Sequence, residues 1–242
     1  MTAIFKREVS AYFRSPIGYI FLAAFYASSG VLFSITSVTQ NMQDGLLYLT
    51  TDMSSMFSLL FFVLLVLIPI LTMRTLSEDK KSKTDQCLLT APVSLTALVC
   101  GKYLASFMVY VAGVAMTLVY AVVLSFFSEV IWLEVLGNVV GLVLVGAAFI
   151  AVGIFISSLT ENQVIAAVGG FVSMCVLYLI SAIAAVIPID WISQILMELS
   201  FADRYYTFTY GIFDFSNVLF FVSVAVVFVF FTVRVLERRR WN

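Results

Sequence analysis

The chain has 242 residues, of which 62% are hydrophobic and 11% are charged, and its mean hydropathy is +1.09. Globular proteins carry charge on about a quarter of their residues, so this composition excludes a soluble domain and predicts an integral membrane protein. The net charge of −1 and the absence of histidine argue against a nucleic-acid surface, and they leave no imidazole for metal binding or general-base catalysis. Cys87, Cys100 and Cys175 share no metal-ligand spacing and predict no disulfide framework.

Residues 1–16 predict a short amphipathic helix. Its apolar face carries Ile4, Phe5, Val9, Tyr12 and Phe13. Its polar face carries Lys6, Arg7, Ser10 and Arg14. A basic helix of this kind is expected to lie in the plane of the lipid headgroups. A signal peptide is the alternative, but charges including Glu8 interrupt the apolar core that a signal peptide needs.

Six apolar runs are each long enough to cross a hydrocarbon core about 30 Å thick, which takes about 20 helical residues. They are residues 17–38, 53–73, 103–127, 135–159, 164–187 and 217–236. The predicted fold class is therefore all-α integral membrane, with a single transmembrane domain over residues 1–242.

The distribution of basic residues predicts the orientation. Of the 13 lysines and arginines, all except Arg204 fall on the side that holds both termini, residues 74–102 and the turn at 160–163. Positive residues mark the cytoplasmic side, so both termini are expected in the cytoplasm.

The last segment on the opposite side, residues 188–216, is long and rich in aromatic residues. Helical spacing of its apolar residues predicts a short re-entrant or interfacial helix. The residues with this spacing are Ile192, Ile195, Leu196 and Leu199. We interpret four aromatic residues as a candidate outer gate: Trp191, Tyr205, Tyr206 and Phe208. An aromatic belt that anchors the flanking helices is the alternative.

The spans hold no ionisable residue near their middle, which argues against ion-coupled carriers, voltage sensors and intramembrane hydrolases. Gly101 and Lys102 lack the upstream glycine of a phosphate-binding loop. The sequence therefore predicts no catalytic residue and no metal site, and any energy is expected to come from outside the membrane. Gly137 and Gly141 form a GxxxG pattern, which is typical either of contact between chains or of ordinary packing within one chain.

Residues 74–102 form the charged segment between the second and third runs, with acidic and basic residues mixed. Thr84 is a suitable helix cap and Pro92 disfavours helix at Ala91, which predicts a short helix over 84–90. A simple positive-inside topology signal is the alternative interpretation of this charge.

Three motifs in this segment resemble the inner loop of ABC-2 type permeases. They are Glu78-Asp79-Lys80-Lys81-Ser82-Lys83-Thr84, then Leu88-Leu89-Thr90-Ala91-Pro92-Val93-Ser94, then Gly101-Lys102-Tyr103. The N-terminal Phe5-Lys6-Arg7-Glu8, residues 203–214 and residues 236–240 are similar to the gliding-motility-associated branch of that family. The resemblance covers essentially the whole chain. It implies a six-span permease of the type V exporter kind, which pairs with a second permease and docks a separate cytoplasmic ABC ATPase.

The resemblance also implies roles for individual residues. Residues 84–90 would be the coupling helix, and the ATPase-coupling residues would be Glu78, Asp79, Lys80, Lys81, Thr84, Asp85, Gln86, Leu88 and Leu89. The N-terminal helix would supply a second contact through Phe5, Lys6, Arg7, Glu8, Tyr12 and Phe13. Lys83 and Gln86 stand where the family usually has Gly and Glu, which leaves the start of the coupling helix open. The chain itself would bind no cofactor, because ATP and Mg would sit on the partner ATPase.

We therefore expect the transmembrane subunit of an ABC exporter in the bacterial cytoplasmic (inner) membrane, with an amphipathic, lipid-like or peptide substrate. Movement of spans two and five at the interface between permeases would open the path. The alternative is a membrane scaffold that anchors an extracytoplasmic assembly, with residues 188–216 as the docking surface for that partner. A facilitated channel or secondary carrier is a third hypothesis.

Overall fold

The computed structural model describes residues 2–38, 53–83, 94–126 and 130–241, and every regular element in these ranges is helical. The helices are α1 (Thr2–Arg14), α2 (Pro16–Phe33), α3 (Ser54–Thr72), α4 (Ser77–Lys81), α5 (Leu95–Ala115), α6 (Thr117–Ser125), α7 (Trp132–Leu159), α8 (Gln163–Val186), α9 (Asp190–Glu198), α10 (Phe201–Thr209) and α11 (Phe215–Trp241). A turn of π-helix, Ser34–Val38, follows α2. The coupling helix predicted over 84–90 lies outside the described residues.

Six helical stretches are long and apolar enough to cross a membrane, which confirms the predicted all-α integral membrane fold. They are Pro16–Thr36, Ser54–Lys81, Leu95–Ser125, Trp132–Leu159, Gln163–Val186 and Phe215–Arg239. The helix that contains the third predicted span begins at Leu95, eight residues before Tyr103, where the predicted span starts. The charged segment 74–102 is thus helical at both ends, and Lys102 lies inside a spanning helix.

Helix α7 is the centre of the bundle, and it contacts α3, α5, α8, α10 and α11. About two thirds of its apolar window, 67%, is buried, whereas the figure for α8 is 17%. Phe149 of α7 packs edge-on against Phe61 and stacks against Phe201, and all three rings are buried. The core is therefore built around α7, and α8 presents most of its surface to the outside.

Glycines let neighbouring elements approach α7 closely. A Cβ at Gly146 would lie 2.1 Å from the Tyr110 ring, whose hydroxyl donates to the Leu142 carbonyl at 2.7 Å. Cβ atoms at Gly137 and Gly141 would lie 2.8 Å and 3.0 Å from atoms of Phe208. The GxxxG pair is therefore used for packing within this chain, as one of its two interpretations predicted.

Residues 188–216 fold as two short helices, α9 and α10, where a single one was predicted. Ser200 ends α9 and caps α10, since its Oγ accepts the Asp203 backbone N–H at 3.2 Å. Helix α10 packs into the bundle against α7 and α8, whereas α9 contacts α8 and buries none of its residues. We call this side, with α9 and α10, the aromatic end.

The opposite side of the bundle, which we call the charged end, holds α1, α4, the start of α5 and the last turns of α11. Helix α1 meets α2 at a corner formed by Ser15 and Pro16, and the Pro16 ring suits the first position of a helix. The amphipathic α1 packs against α5, which brings three separate parts of the chain together at this end.

Candidate functional site

The centre of the charged end is Lys102, which is only 2% exposed on α5. Its Nζ lies 3.1 Å from Glu8 Oε1 on α1 and 2.9 Å from Asp79 Oδ2 on α4. A buried ammonium group costs several kcal/mol of desolvation unless carboxylates compensate for it, and here two do so. We call Glu8, Asp79 and Lys102 the ion triad. It joins α1, α4 and α5 at one point.

Helix α4 is also fastened to the end of α7. Ser157 Oγ accepts the backbone N–H groups of Leu76 and Ser77 at 3.2 Å and 3.1 Å, and it lies 3.1 Å from the Met73 carbonyl. The buried Lys80 donates to the Ser158 carbonyl in the last turn of α7. A cation is favoured there because the C-terminal end of a helix carries partial negative charge. The turn between α3 and α4 is therefore hydrogen-bonded to the C-terminal end of α7.

Tyr12 is the buried anchor of α1. Its hydroxyl lies 3.2 Å from the Leu71 carbonyl of α3 and 2.8 Å from Ser106 Oγ of α5. Burial raises the pKa of the Tyr12 hydroxyl, so this group stays protonated at physiological pH and remains a hydrogen-bond donor. Tyr12 and the ion triad are thus two separate links between α1 and the spanning helices.

A cleft of about 200 Å³ opens between α1 and the end of α3. It is lined by Arg7, Glu8, Ala11, Tyr12, Ser15, Ile17, Arg74, Thr75, Glu78, Asp79 and Lys102. Arg74 pairs with Glu78, with Nη2 2.6 Å from Oε1. The three basic and three acidic side chains of the lining balance, so the cleft has no net attraction for a small anion or cation. Alternating charge of this kind suits a protein surface that carries both signs.

Residues 45–235 match the family described as ABC-2 family transporter protein. The match covers most of the chain and includes α3 through most of α11. This chain belongs to the ABC-2 family of transporter proteins. No curated protein matches it.

The ABC-2 assignment makes the chain a multi-pass permease subunit of an ABC transporter, a class of membrane subunit that has no ATPase site of its own and works with a partner ATPase. Two members of the ion triad, Asp79 and Lys102, lie within the matched residues. Glu8 lies outside them, on α1. The family match therefore does not include α1, and the structure alone shows its contact with the permease core.

The predicted ATPase-coupling residues divide into three groups in the permease. Asp79 and Lys80 point into the bundle and bond to Lys102 and the Ser158 carbonyl. Glu78 is half-buried and Lys81 is exposed. Thr84, Asp85, Gln86, Leu88 and Leu89 lie outside the described residues. Glu78 and Lys81 are therefore the two described members of this set that a partner can reach.

On α1 the predicted faces correspond to the observed burial at most positions. Lys6 and Arg7 are exposed, Tyr12 is buried, and Phe5 is half-buried against the core. Phe13 differs, since it is 39% exposed and packs edge-on against the Tyr19 ring. Glu8 bonds to Lys102, and its predicted role at a contact with the ATPase stays a prediction.

The four residues of the predicted outer gate do not share one surface. Tyr205 and Phe208 are fully buried on α10, and the Tyr205 hydroxyl donates to the Phe57 carbonyl at 3.1 Å. Tyr206 is half-buried beside Tyr205, whereas Trp191 is 66% exposed on α9. A gating role for these residues therefore remains a prediction, with two of them inside the bundle.

Sequence reasoning missed three residues that organise the permease: Lys102, Ser157 and Arg204. Lys102 was read as the boundary of a span because a lone charge in an apolar run normally marks one. Ser157 gave no signal, since serine is common in membrane helices. Arg204 is the one basic residue of the sequence on the side opposite the termini, and this unusual position is a signal that could have identified it.

Proposed function

We propose that this chain is the permease subunit of an ATP-driven exporter, coupled to its ATPase through the charged end. The observation that carries the proposal is the ion triad, which links the N-terminal helix α1, the element α4 beside the predicted coupling helix, and the spanning helix α5. Among the described residues, the buried charged side chains are Lys80 and Lys102, and both lie at this end. These two buried charges therefore lie at the end of the bundle where a cytoplasmic ATPase would push.

The contacts support a specific mechanism. A push on the segment after α4 would act on α5 and α1 through the ion triad, and on α7 through Ser157 and Lys80. Helix α7 is a continuous helix from Trp132 to Leu159 that packs against α10 at the aromatic end. Movement of α7 would then shift Tyr205 and Phe208, and so open a path at the aromatic end.

An apolar or amphipathic substrate is the best match for the walls of this bundle. The spans carry no charged residue near their middle, so a path between them has no charge that would compensate a small ion for its lost water. Lipid-like molecules and hydrophobic peptides are apolar or amphipathic substrates of this kind. ATP and Mg would bind on the partner ATPase, and the positive charged end would face the cytoplasm of a bacterial inner membrane. We also propose that the chain belongs to the gliding-motility-associated branch, because of the N-terminal and C-terminal motifs described above.

A second permease would pack along α8. This helix exposes a row of β-branched residues, and the neighbouring helix α3 exposes an apolar row of its own. The α8 row is Val164, Val168, Val172 and Val176, and the α3 row is Leu59, Phe62 and Val66. Phe62 of α3 packs on Tyr178 of α8, with ring centroids 4.8 Å apart, so the two helices are neighbours. This supports the expectation that spans two and five meet the partner permease.

Copurification with ATP hydrolysis tests the docking proposal. The chain is expressed with a tag beside its neighbouring genes, and the purified material is assayed for an ABC ATPase and for ATP turnover. The double variant Glu78→Gln/Lys81→Gln removes the two reachable charges without changing net charge, and we expect it to lower the amount of bound ATPase. Binding would fall because ion pairs across an interface that excludes water stabilise the complex.

The matched control is Arg234→Gln/Glu237→Gln, which removes an exposed pair of opposite charges from α11 at the same end. The control should retain the ATPase at the wild-type level. Equal retention by both double variants would overturn docking at α4, and loss in both would show only a general effect of surface charge.

A scaffold role is the second candidate, and the exposed aromatic residues at the aromatic end favour it. Trp191, Tyr210 and Phe215 are 66%, 75% and 76% exposed, which is typical of a partner or membrane contact. The two roles separate in a reconstituted complex: an exporter hydrolyses ATP faster when its substrate is present, whereas a scaffold gives the same rate with every candidate lipid or peptide.

A further inference from the structure

A groove of about 440 Å³ lies on the side of the bundle, between α5, α7 and α11. It is lined by Cys100, Tyr103, Leu104, Ala147, Val222, Ala225, Val226 and Val229. Ala147 and Ala225 are 9% and 8% exposed and form its floor, while Leu104 and Val226 are 38% and 62% exposed and form its rims. The groove exists because two small alanines lie between larger side chains on three adjacent helices.

The polar content of the groove is already satisfied within the protein. The Tyr103 hydroxyl donates to the Ala147 carbonyl at 3.2 Å, so it does not need a hydrogen bond from a molecule bound in the groove. The remaining lining is aliphatic except for Cys100. All three helices are spanning helices, and the groove opens to their outer surface. Its occupant must therefore be hydrocarbon that enters from the bilayer.

The charge beside the groove indicates which lipid is preferred. Helix α11 continues from Val229 to the charged end, where residues 234–240 hold four arginines and one glutamate. Arg234 is exposed, packs over the Phe230 ring at 4.9 Å and pairs with Glu237, while Arg238 and Arg239 are exposed beyond it. Basic residues at the membrane surface attract anionic headgroups.

We propose that this groove binds one acyl chain of an anionic phospholipid, with its phosphate on the arginines at the end of α11. An acyl chain gains no hydrophobic free energy by moving from the surrounding lipid tails into a valine-lined groove. The preference for one lipid over another therefore depends on the shape of the groove and on the charge of the headgroup. This proposal does not rest on the proposed export function, because it is argued only from the groove and from the arginines of α11.

Photo-crosslinking in nanodiscs tests the site. The purified chain is reconstituted with phosphatidylglycerol that carries a diazirine on one acyl chain, or with the same probe on phosphatidylcholine, and labelled peptides are identified by mass spectrometry. Labelling is expected to concentrate on the peptides that contain Cys100–Leu104 and Val222–Val229, with the phosphatidylglycerol probe favoured several-fold. Uniform labelling of all six spans, or equal labelling by both probes, would overturn the proposal.

Filling the groove supplies the matched test. Ala225→Phe places a ring on the floor, and it should abolish most of the labelling at both peptides. Val227→Phe adds the same ring at an exposed position of α11 outside the lining, and it should leave labelling unchanged. If Ala225→Phe reduces expression, Val222→Phe at the 47% exposed rim takes its place. Undiminished labelling in a folded groove-filled variant would contradict acyl-chain binding.

Discussion

At the scale of single residues, Lys102 shows how charge is tolerated inside a spanning helix. An isolated lysine there would cost several kcal/mol, but Glu8 and Asp79 lie within 3.1 Å and 2.9 Å of its ammonium group. Both carboxylates are themselves largely shielded from water, with side chains 15% and 18% exposed. The pairing therefore compensates for the buried charge, and it also ties together elements that are far apart in sequence.

Replacing the central lysine tests this compensation. Lys102→Met should lower the free energy of unfolding by roughly 3–5 kcal/mol, because it leaves two partly buried carboxylates uncompensated. The measurement is denaturant titration in detergent, with Lys81→Met as the control. Lys81 is exposed and should change stability by less than about 0.5 kcal/mol. Adding Glu8→Gln and Asp79→Asn to Lys102→Met should recover part of the loss, and no recovery would contradict the triad as its cause.

At the scale of elements, Arg204 forms a group of contacts at the aromatic end, which we call the clasp. Its guanidinium donates to the Glu198 carbonyl and carboxylate and to Asn217 Oδ1, all within 2.9 Å. It also lies 4.5 Å from the centre of the Phe220 ring. Asn217 in turn donates to Thr207 at 2.7 Å. These bonds join α9, α10 and α11, and they hold the two short helices against the sixth span.

Removing the clasp should loosen α9 and α10 selectively. Arg204→Gln is expected to speed backbone amide exchange in residues 190–209 while the spans stay protected, because Arg204 bonds α10 to α9 and to α11, and α9 buries none of its residues. Arg234→Gln is a close control, since Arg234 also pairs with a glutamate and lies over a phenylalanine ring of α11, but at the charged end. Unchanged exchange in α9 and α10 after Arg204→Gln would show that packing alone holds them.

The same elements show how far sequence reasoning extends. Runs of apolar residues were sufficient to predict six spans, and amphipathic spacing predicted α1, because both depend on local periodicity. The extension of α5 back to Leu95 leaves no signal in the apolar run, because its Lys102 is neutralised by residues 23 and 94 positions away, Asp79 and Glu8, and such pairing leaves no local pattern. Likewise, the division of 188–216 into two helices depends on the Ser200 cap and the Arg204 clasp. Long-range contacts therefore determine these two features of the fold, which local periodicity does not predict.

At the scale of the whole molecule, the spanning helices are buried to very different extents, which indicates where a second chain could pack. Helices α3 and α7 are mostly buried, whereas α8 exposes a long apolar face. In a closed dimer with twofold symmetry, one such face on each copy would meet itself. The charged ends of the two copies would then lie side by side, ready for a pair of ATPases.

Cysteine crosslinking tests this pairing. In a background that replaces Cys87, Cys100 and Cys175 with serine, Val172→Cys on α8 should form disulfide-linked dimers in membranes treated with a mild oxidant. Both Val172 and the control position Val227 on α11 are exposed, at 52% and 45%. The Val227→Cys control should remain monomeric. Dimers from Val227 with none from Val172 would move the interface to the sixth span.

The central claim is that the charged end docks an ABC ATPase, and site-specific photo-crosslinking in living cells tests it most directly. A benzophenone amino acid is introduced at Lys81 on the charged end or at Trp191 on the aromatic end, both of which are exposed. After irradiation, the position 81 variant should yield an adduct that contains an ABC ATPase, and the position 191 variant should yield none. An ATPase adduct at 191, or no adduct at 81 in cells that express the ATPase, would contradict the account.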